Sequence, residues 1–367
     1  MKVIISGGGT GGHIYPALAI AEEIKERHKE CDLLYVGTNN SLEQELAKNA
    51  GIKFEIIRVK GLPRKLNKKS FIALKELLKG LKDAKKILRN FKPSLVIGTG
   101  GYVSAPIVFM ASRKHIPSVI HEQNAFPGIA NRLLSRFVDK VLITFDESKK
   151  YFNKEEKTFL TGNPVRNSVI NIDKETAIKE LGLDRDKPLI LSFGGSGGQK
   201  SLNREIIALI KHIKKYKDFQ LIHVTGKVYY DSFLETLKQE KIVLDENLIV
   251  VPYYYKMPYA INAAELIITS GGAIALAEIS AVGKASILIP KAYTAENHQE
   301  YNARAFQNAG AGIMILEEEL KDEKLLHTVL DLFNSKERLE EMAIKSKNIG
   351  NSFAVKKIVD EIEVYLK

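Results

Sequence analysis

Residues 270–302 read S-G-G-A-I-A-L-A-E-I-S-A-V-G-K-A-S-I-L-I-P-K-A-Y-T-A-E-N-H-Q-E-Y-N. The apolar run Leu266–Thr269 before them predicts a strand that ends directly on Gly271-Gly272, and Ala273–Ala281 then recurs with helical period. A glycine pair that opens a helix leaves backbone N–H groups bare at the strand's end, with the positive end of the helix dipole behind them, which suits an anion. Glu278 falls about two turns into that helix, where a carboxylate can accept hydrogen bonds from a ribose diol. A second strand, Ser286–Pro290, delivers Asn297-His298-Gln299, side chains that pair with hydroxyls. An ordinary strand–helix–strand crossover with a packing glycine pair reads the same way, so the rest of the chain has to decide.

Upstream, Pro188–Phe193 is a predicted strand ending in Gly194-Gly195-Ser196-Gly197-Gly198, with a helix from about Gln199. The same strand, glycine loop and helix occur at residues 3–20, where Gly7-Gly8-Gly9-Thr10-Gly11-Gly12-His13 follows Val3–Ser6. Further strands are expected at Leu33–Val36, Phe54–Val59, Leu95–Ile97, Ser118–His121 and Lys140–Thr144 in the first half. In the second they are expected at Leu221–Thr225, Leu248–Val251 and Ile313–Leu316. Alternation of strand and helix predicts parallel sheets with ligand loops at the strand C-termini, hence an α/β protein of two Rossmann-like domains. Thr161-Gly162-Asn163-Pro164-Val165-Arg166 punctuates the chain. The expected division is therefore 1–163 together with a C-terminal helix at about 346–367, and 164–345.

Gly7, Gly9 and Gly12 satisfy the dinucleotide fingerprint, but an NAD site calls for an acidic residue at the far end of the second strand. That strand ends Val36-Gly37-Thr38, and Asp32 stands at its start, which argues against nicotinamide. Gly98-Thr99-Gly100-Gly101-Tyr102 and His121-Glu122-Gln123-Asn124 end two further strands on the same edge, so three polar loops converge there and predict a pocket. Asp184-Arg185-Asp186 has the look of a metal-binding carboxylate pair but precedes its strand, and reads as a polar loop.

The chain has 367 residues, 45% hydrophobic, with a formal charge of +11, enough for two buried cores. No run approaches the ~18 unbroken apolar residues of a membrane span. Met1–Ser6 reads as a strand and not a signal peptide, and the single Cys31 implies neither disulfide nor thiolate metal site, all of which points to the cytosol. The charge is concentrated. Lys60–Lys92 holds twelve Lys or Arg against Glu76 and Asp83, a net of +10. Phe71, Leu74, Leu77, Leu78, Leu81, Ala84, Leu88 and Phe91 recur there at helical spacing. This basic amphipathic segment suits an anionic membrane surface, with Leu62, Leu66 and Phe71 available for shallow insertion; a stripe turned to the core with solvated lysines is the alternative. No aromatic–basic interleaving accompanies the charge, so nucleic acid is not expected.

Taken together, Gly8–His13, Gly100-Gly101-Tyr102, His121–Asn124, Gly162–Arg166, Gly194-Gly195-Ser196 and Asn297-His298-Gln299 closely resemble the MurG family of peptidoglycan glycosyltransferases, in the family's order and over nearly the whole chain. The resemblance implies the GT-B architecture, two Rossmann-like domains facing a central cleft. It implies inverting transfer of N-acetylglucosamine from UDP-N-acetylglucosamine to the 4-hydroxyl of the N-acetylmuramyl unit of lipid I, at the cytoplasmic face of the cell membrane. By position it puts the uridine near Tyr253 and Tyr254, and the ribose on Glu278. The diphosphate falls on Ser196, Arg166 and the Ala273-Ile274-Ala275 backbone, and the sugar hydroxyls on His298 and Gln299. Thr10, Gly11, Gly12 and Asn124 are counted with the donor; Gly9, Tyr102 and His13 face the acceptor, as Asn124 also does. No metal and no cofactor is implied. Inversion by single displacement needs a base and no enzyme nucleophile. His13 is the candidate base, because an ordinary imidazole titrates near about 6.5, and Glu122 is the second choice. Another inverting GT-B transferase, or a non-catalytic nucleotide binder, remains an alternative on the sequence.

Overall fold

Strand β1 (Lys2–Gly7) carries the apolar run Val3-Ile4-Ile5, fully buried because helices cover both faces of the sheet it belongs to. The computed structural model describes residues 1–61, 68–152, 155–195, 197–294, 297–351 and 353–366, apart from the side chains of 68–70 and 167. After β1 come α1 (Gly11–Arg27), β2 (Asp32–Gly37), α2 (Leu42–Asn49), β3 (Lys53–Ile56), α3 (Lys68–Phe91), β4 (Leu95–Gly100) and α4 (Gly101–Arg113). Then follow β5 (Ser118–Glu122), α5 (Ile129–Leu134), β6 (Lys140–Ile143) and β7 (Thr158–Leu160). They form a seven-stranded sheet in the order β3-β2-β1-β4-β5-β6-β7, and every pairing is parallel.

The chain divides after Val165, two residues beyond the expected point. From there run α6 (Asn167–Ile170), α7 (Lys174–Leu181), β8 (Leu189–Phe193), α8 (Lys200–Tyr216), β9 (Gln220–Val224), α9 (Tyr230–Gln239), β10 (Leu248–Val251) and α10 (Met257–Ala263). They are followed by β11 (Leu266–Thr269), α11 (Ala273–Val282), β12 (Ala285–Leu288), α12 (His298–Asn308), β13 (Ile313–Met314), α13 (Lys324–Asn334) and α14 (Lys336–Ile349). The sheet order is β10-β9-β8-β11-β12-β13, again parallel. Both units thus share the order 3-2-1-4-5-6. In each the direction of winding reverses beside the first strand, between β1 and β4 and between β8 and β11, and ligands bind doubly wound sheets at that point.

The segment Phe353–Lys367 returns to the first unit. Its helix α15 (Ala354–Ile362) buries Ile358, Val359 and Ile362 against Val3, Ile5, Ile20 and Ile24, each such side chain contributing roughly 1.5–3 kcal/mol. Arg27 donates to Asp360 (2.6 Å) and Lys140 to Glu361 (2.7 Å) along its rim. Residues 346–349 belong instead to α14 of the second unit, so the returning segment is shorter than expected.

Strand β3 stops at Ile56 and not at Val59, because the next donor but one, the Arg58 N–H, turns to the Asp83 carboxylate (3.1 Å) on α3. The short edge strand β7 gives no sequence signal of its own: three residues carry no readable alternation. Helix α3 divides the amphipathic stripe. Ala84, Ile87 and Leu88 are buried, whereas Phe71 (75% exposed), Ile72, Leu74 and Leu78 face outward. Leu62, Lys65 and Leu66 lie outside the described residues.

Candidate functional site

In the first unit the site grows from the ends of β1, β4 and β5. Gly9, Thr10, Gly11 and Gly12 carry the chain from β1 into the first turn of α1, where the N-cap Thr10 makes no side-chain capping hydrogen bond. His13 is in that turn. Gly100 (φ +106°) and Gly101 (φ +74°) end β4 and open α4 in conformations that favour glycine. A Cβ at Gly100 would lie 2.8 Å from His13 Nδ1, and one at Gly101 2.2 Å from Gly8 O. The glycine pair therefore makes room for the imidazole and the first loop. Tyr102, half exposed, stands against Gly9: a Cβ there would lie 3.2 Å from its ring.

The imidazole is oriented by a chain of hydrogen bonds. Gln123 donates from Nε2 to Thr99 O (2.7 Å), an atom that can only accept, so its Oε1 is the atom facing His13 Nδ1 (3.0 Å). Thr99 O also lies 3.1 Å from Nδ1. With two acceptors in front of it, Nδ1 carries the proton, and Nε2 is the basic nitrogen. Gln123 Nε2 also donates to His121 Nδ1 (3.0 Å), and His121 Nε2 donates to Gly162 O (2.9 Å). Burial holds the His121 pKa down to about 4, so that ring is neutral and relays orientation only.

Glu122 is 1% exposed. Its Oε1 accepts from the Asn124 backbone (3.0 Å) and side chain (3.0 Å), and its Oε2 from Gly128 N (3.2 Å) and Asn131 Nδ2 (2.8 Å). Four donors occupy the carboxylate, which fixes the loop that presents Asn124. Asn131 gave no sequence signal, since nine residues separate it from Glu122. Asp32 pairs with Lys53 (2.9 Å) at the start of β2, far from the glycine loop end of that strand.

In the second unit the corresponding edge is built from the ends of β8, β9, β10, β11 and β12. Gly198 (φ +68°) and Gly226 (φ +85°) interlock: a Cβ on Gly198 would lie 2.2 Å from Thr225 O, and one on Gly226 2.5 Å from Gly198 Cα. Ser196 lies outside the described residues. Ala273, Ile274 and Ala275 form the first turn of α11, whose N-cap Gly272 provides no side-chain cap. Asn302 Nδ2 ties Gly271 O to α12 (3.3 Å).

Arg166 and Glu278, assigned to different parts of the donor, meet directly. Arg166 donates to Glu278 Oε1 from Nε (3.2 Å) and Nη2 (2.7 Å), with side chains 35% and 8% exposed. Burial raises the Glu278 pKa although the Arg166 charge opposes it. Tyr253 and Tyr254 follow β10. Burial raises the Tyr254 pKa, and Tyr253 packs edge-on against Tyr255 (4.8 Å between centroids) with Lys227 Nζ 5.8 Å over its ring. Lys227 and Tyr255 were not singled out in the sequence. His298 and Gln299 open α12, and Gln299 Oε1 accepts from Lys291 N (3.1 Å). Asp184 accepts from Asp186 N (3.0 Å) ahead of β8, on the opposite edge of the sheet.

Two doubly wound units, each with a glycine-opened helix at its switch point, define the GT-B class of glycosyltransferase. Residues 3–143 match the glycosyltransferase family 28 N-terminal domain and residues 189–362 the C-terminal domain. The chain belongs to glycosyltransferase family 28. A Finegoldia magna protein is 47% identical over 364 residues, covering 99% of this chain and 97% of its own. One from Acetivibrio thermocellus is 44% identical over 367 residues, covering 100% and 99%. Both bear the name UDP-N-acetylglucosamine–N-acetylmuramyl-(pentapeptide) pyrophosphoryl-undecaprenol N-acetylglucosamine transferase. The crystal structure of Acinetobacter baumannii MurG superposes with a TM-score of 0.76 at 27% identity, covering 99% of each chain.

Proposed function

We propose that the protein transfers N-acetylglucosamine from UDP-N-acetylglucosamine to the 4-hydroxyl of the N-acetylmuramyl unit of lipid I, giving lipid II in peptidoglycan synthesis. Full-length identity of 44–47% to relatives that bear this activity in their names carries the reading. The first unit receives the acceptor and the second the UDP-sugar.

The reaction forms the bond from the acceptor oxygen to the anomeric carbon as the bond from that carbon to the diphosphate breaks, with inversion. His13 Nε2 takes the acceptor's proton; its Nδ1–H, held by Thr99 O and Gln123, keeps the ring in the basic tautomer. The departing UDP gains charge, and the helix N-termini with Arg166 stabilise it as preorganised dipoles and a fixed cation. Glu278 accepts from the ribose hydroxyls while orienting Arg166. His298 and Gln299 take the sugar hydroxyls, and Tyr253 and Tyr254 border the uracil.

A polyprenyl-linked acceptor stays in a bilayer, so the enzyme works as a peripheral protein on the cytoplasmic face. Phe71, Ile72, Leu74 and Leu78, outward on the basic helix α3, supply the contact with an anionic membrane surface. No helix among the described residues is long and apolar enough to cross a membrane.

The test is turnover of a lipid I analogue with UDP-N-acetylglucosamine and with UDP-glucose, alongside UDP titration. Product with the first donor is expected; UDP binding without product would leave a nucleotide binder, and preference for UDP-glucose another transferase of this architecture.

A further inference from the structure

Glu317 lies in a short 3-10 turn after β13 (Glu317–Glu319), where no sequence motif marks it. Its Oε1 accepts from Gln199 Nε2 (3.0 Å) and from Ser201 Oγ, both at the N-terminus of α8 directly after the second glycine loop. Its Oε2 accepts from Ala292 N (3.0 Å). Gln199 is fully buried, and the same Nε2 also donates to Ile289 O (3.0 Å) just beyond β12. One residue before Ala292, Lys291 N donates to Gln299 Oε1 (3.1 Å). Three separate parts of the chain, the start of α8, the loop after β12 and the turn after β13, therefore converge on one carboxylate.

Every donor that Glu317 accepts belongs to a segment that carries donor-site residues. On one side is the glycine loop with the N-terminus of α8. On the other is the loop that runs to His298 and Gln299. Burial favours the neutral acid here, but the hydrogen bonds from Ser201, Ala292 N and Gln199 together outweigh it and hold the carboxyl below the usual carboxylate range. The Lys291 ammonium adds to this lowering, while burial lowers its own pKa against the Glu317 charge. A carboxylate is suited to this role because it alone can accept from three donors without offering a proton in return.

We propose that Glu317 is a positioning residue of the donor site, holding the diphosphate-side glycine loop and the sugar-side loop at a fixed distance through Gln199, Ser201 and Ala292. The inference rests on the proposed UDP-sugar reading of this edge. UDP alone engages the glycine-loop side, whereas UDP-N-acetylglucosamine spans both sides. Loosening the tie therefore weakens the sugar nucleotide more than it weakens UDP. A residue that served stability alone would shift both affinities together or neither.

The experiment measures Kd for UDP and for UDP-N-acetylglucosamine, and kcat and KM on a lipid I analogue, for the full chain and for Glu317→Ala, Glu317→Gln and Glu318→Ala. Glu318 is an exposed neighbour whose loss removes the same charge. Glu317→Ala is expected to raise the ratio of the UDP-N-acetylglucosamine Kd to the UDP Kd about tenfold, the scale of a lost charge-assisted hydrogen bond. Glu317→Gln, which keeps one acceptor oxygen, falls between it and the parent, and Glu318→Ala matches the parent. An unchanged ratio with unchanged kcat/KM in Glu317→Ala overturns the inference, as does an equal effect in Glu318→Ala. If Glu317→Ala does not fold, Ser201→Ala removes a single donor: a higher ratio supports the tie and an unchanged one refutes it. A parent chain that binds neither ligand refutes the functional reading instead, so the two failures are told apart.

Discussion

Breaking the Arg166–Glu278 pair from its two ends costs different amounts. Glu278 is the buried partner, 8% exposed, and Arg166 is 35% exposed. Glu278→Gln leaves a guanidinium that water can reach, and the loss is about 1 kcal/mol. Arg166→Met strands a carboxylate that burial already disfavours, and removing one partner of a buried pair costs about 3–5 kcal/mol. Protonation limits that cost, which gives it a pH dependence. A carboxyl whose pKa is raised on folding binds more protons in the native state than in the unfolded chain between the two pKa values, so it lowers stability as pH rises through that window. Without Arg166 the opposing charge is gone, the Glu278 pKa climbs further and the window widens upward, each added unit costing about 1.4 kcal/mol above it. Urea unfolding of the parent, both single variants and the double variant, followed by circular dichroism near pH 5.5 and near pH 8, reads this directly. Arg166→Met is expected to lose more stability near pH 8 than near pH 5.5, Glu278→Gln to lose little at either, and the double variant to be more stable than Arg166→Met near pH 8. Equal losses for the two single variants, or a loss in Arg166→Met that ignores pH, would refute the account of the pair.

His13→Ala is expected to lower kcat by about 10²–10⁴-fold and to leave UDP affinity close to the parent's; a kcat within a factor of about three would remove His13 from the base role. Because His121 is buried neutral with its pKa held down to about 4, the unfolded chain binds the extra proton below about 6.5, so stability falls as pH drops from there toward about 4. His121→Gln should reduce that pH slope by up to one proton, and an unaltered slope would mean the ring is not the titrating group. Helix termini and Arg166 carry the leaving-group charge in the proposed mechanism, so turnover should persist in excess EDTA; loss restored by Mg²⁺ or Mn²⁺ would redirect attention to Asp184 and Asp186. Phe71→Ser with Leu74→Ser, or charge reversal at Lys65, Lys68 and Lys69, is expected to weaken binding to phosphatidylglycerol vesicles and to spare turnover of a short-chain acceptor. Vesicle binding equal to the parent's in both variants would place the membrane face elsewhere.

The alternation of strand and helix and the two glycine loops that end β1 and β8 are legible in the residues alone. So are the polar loops that end β4 and β5 and the glycine pair that ends β11. These signals are local: period, glycine spacing and strand ends are written within a few residues of one another. The features that emerge with the folded chain involve partners distant in sequence. Arg166 meets Glu278 across 112 residues and Gln123 orients His13 across 110. Glu317 gathers Gln199 and Ala292, and α15 closes the first core with side chains from the far end of the chain. The apolar stripe of α3 had a single period in the sequence, yet one end of it is buried and the other is exposed. Periodicity shows that a helix has an apolar face, but which neighbour covers that face, and over what length, is set by how the sheet and helices pack around it.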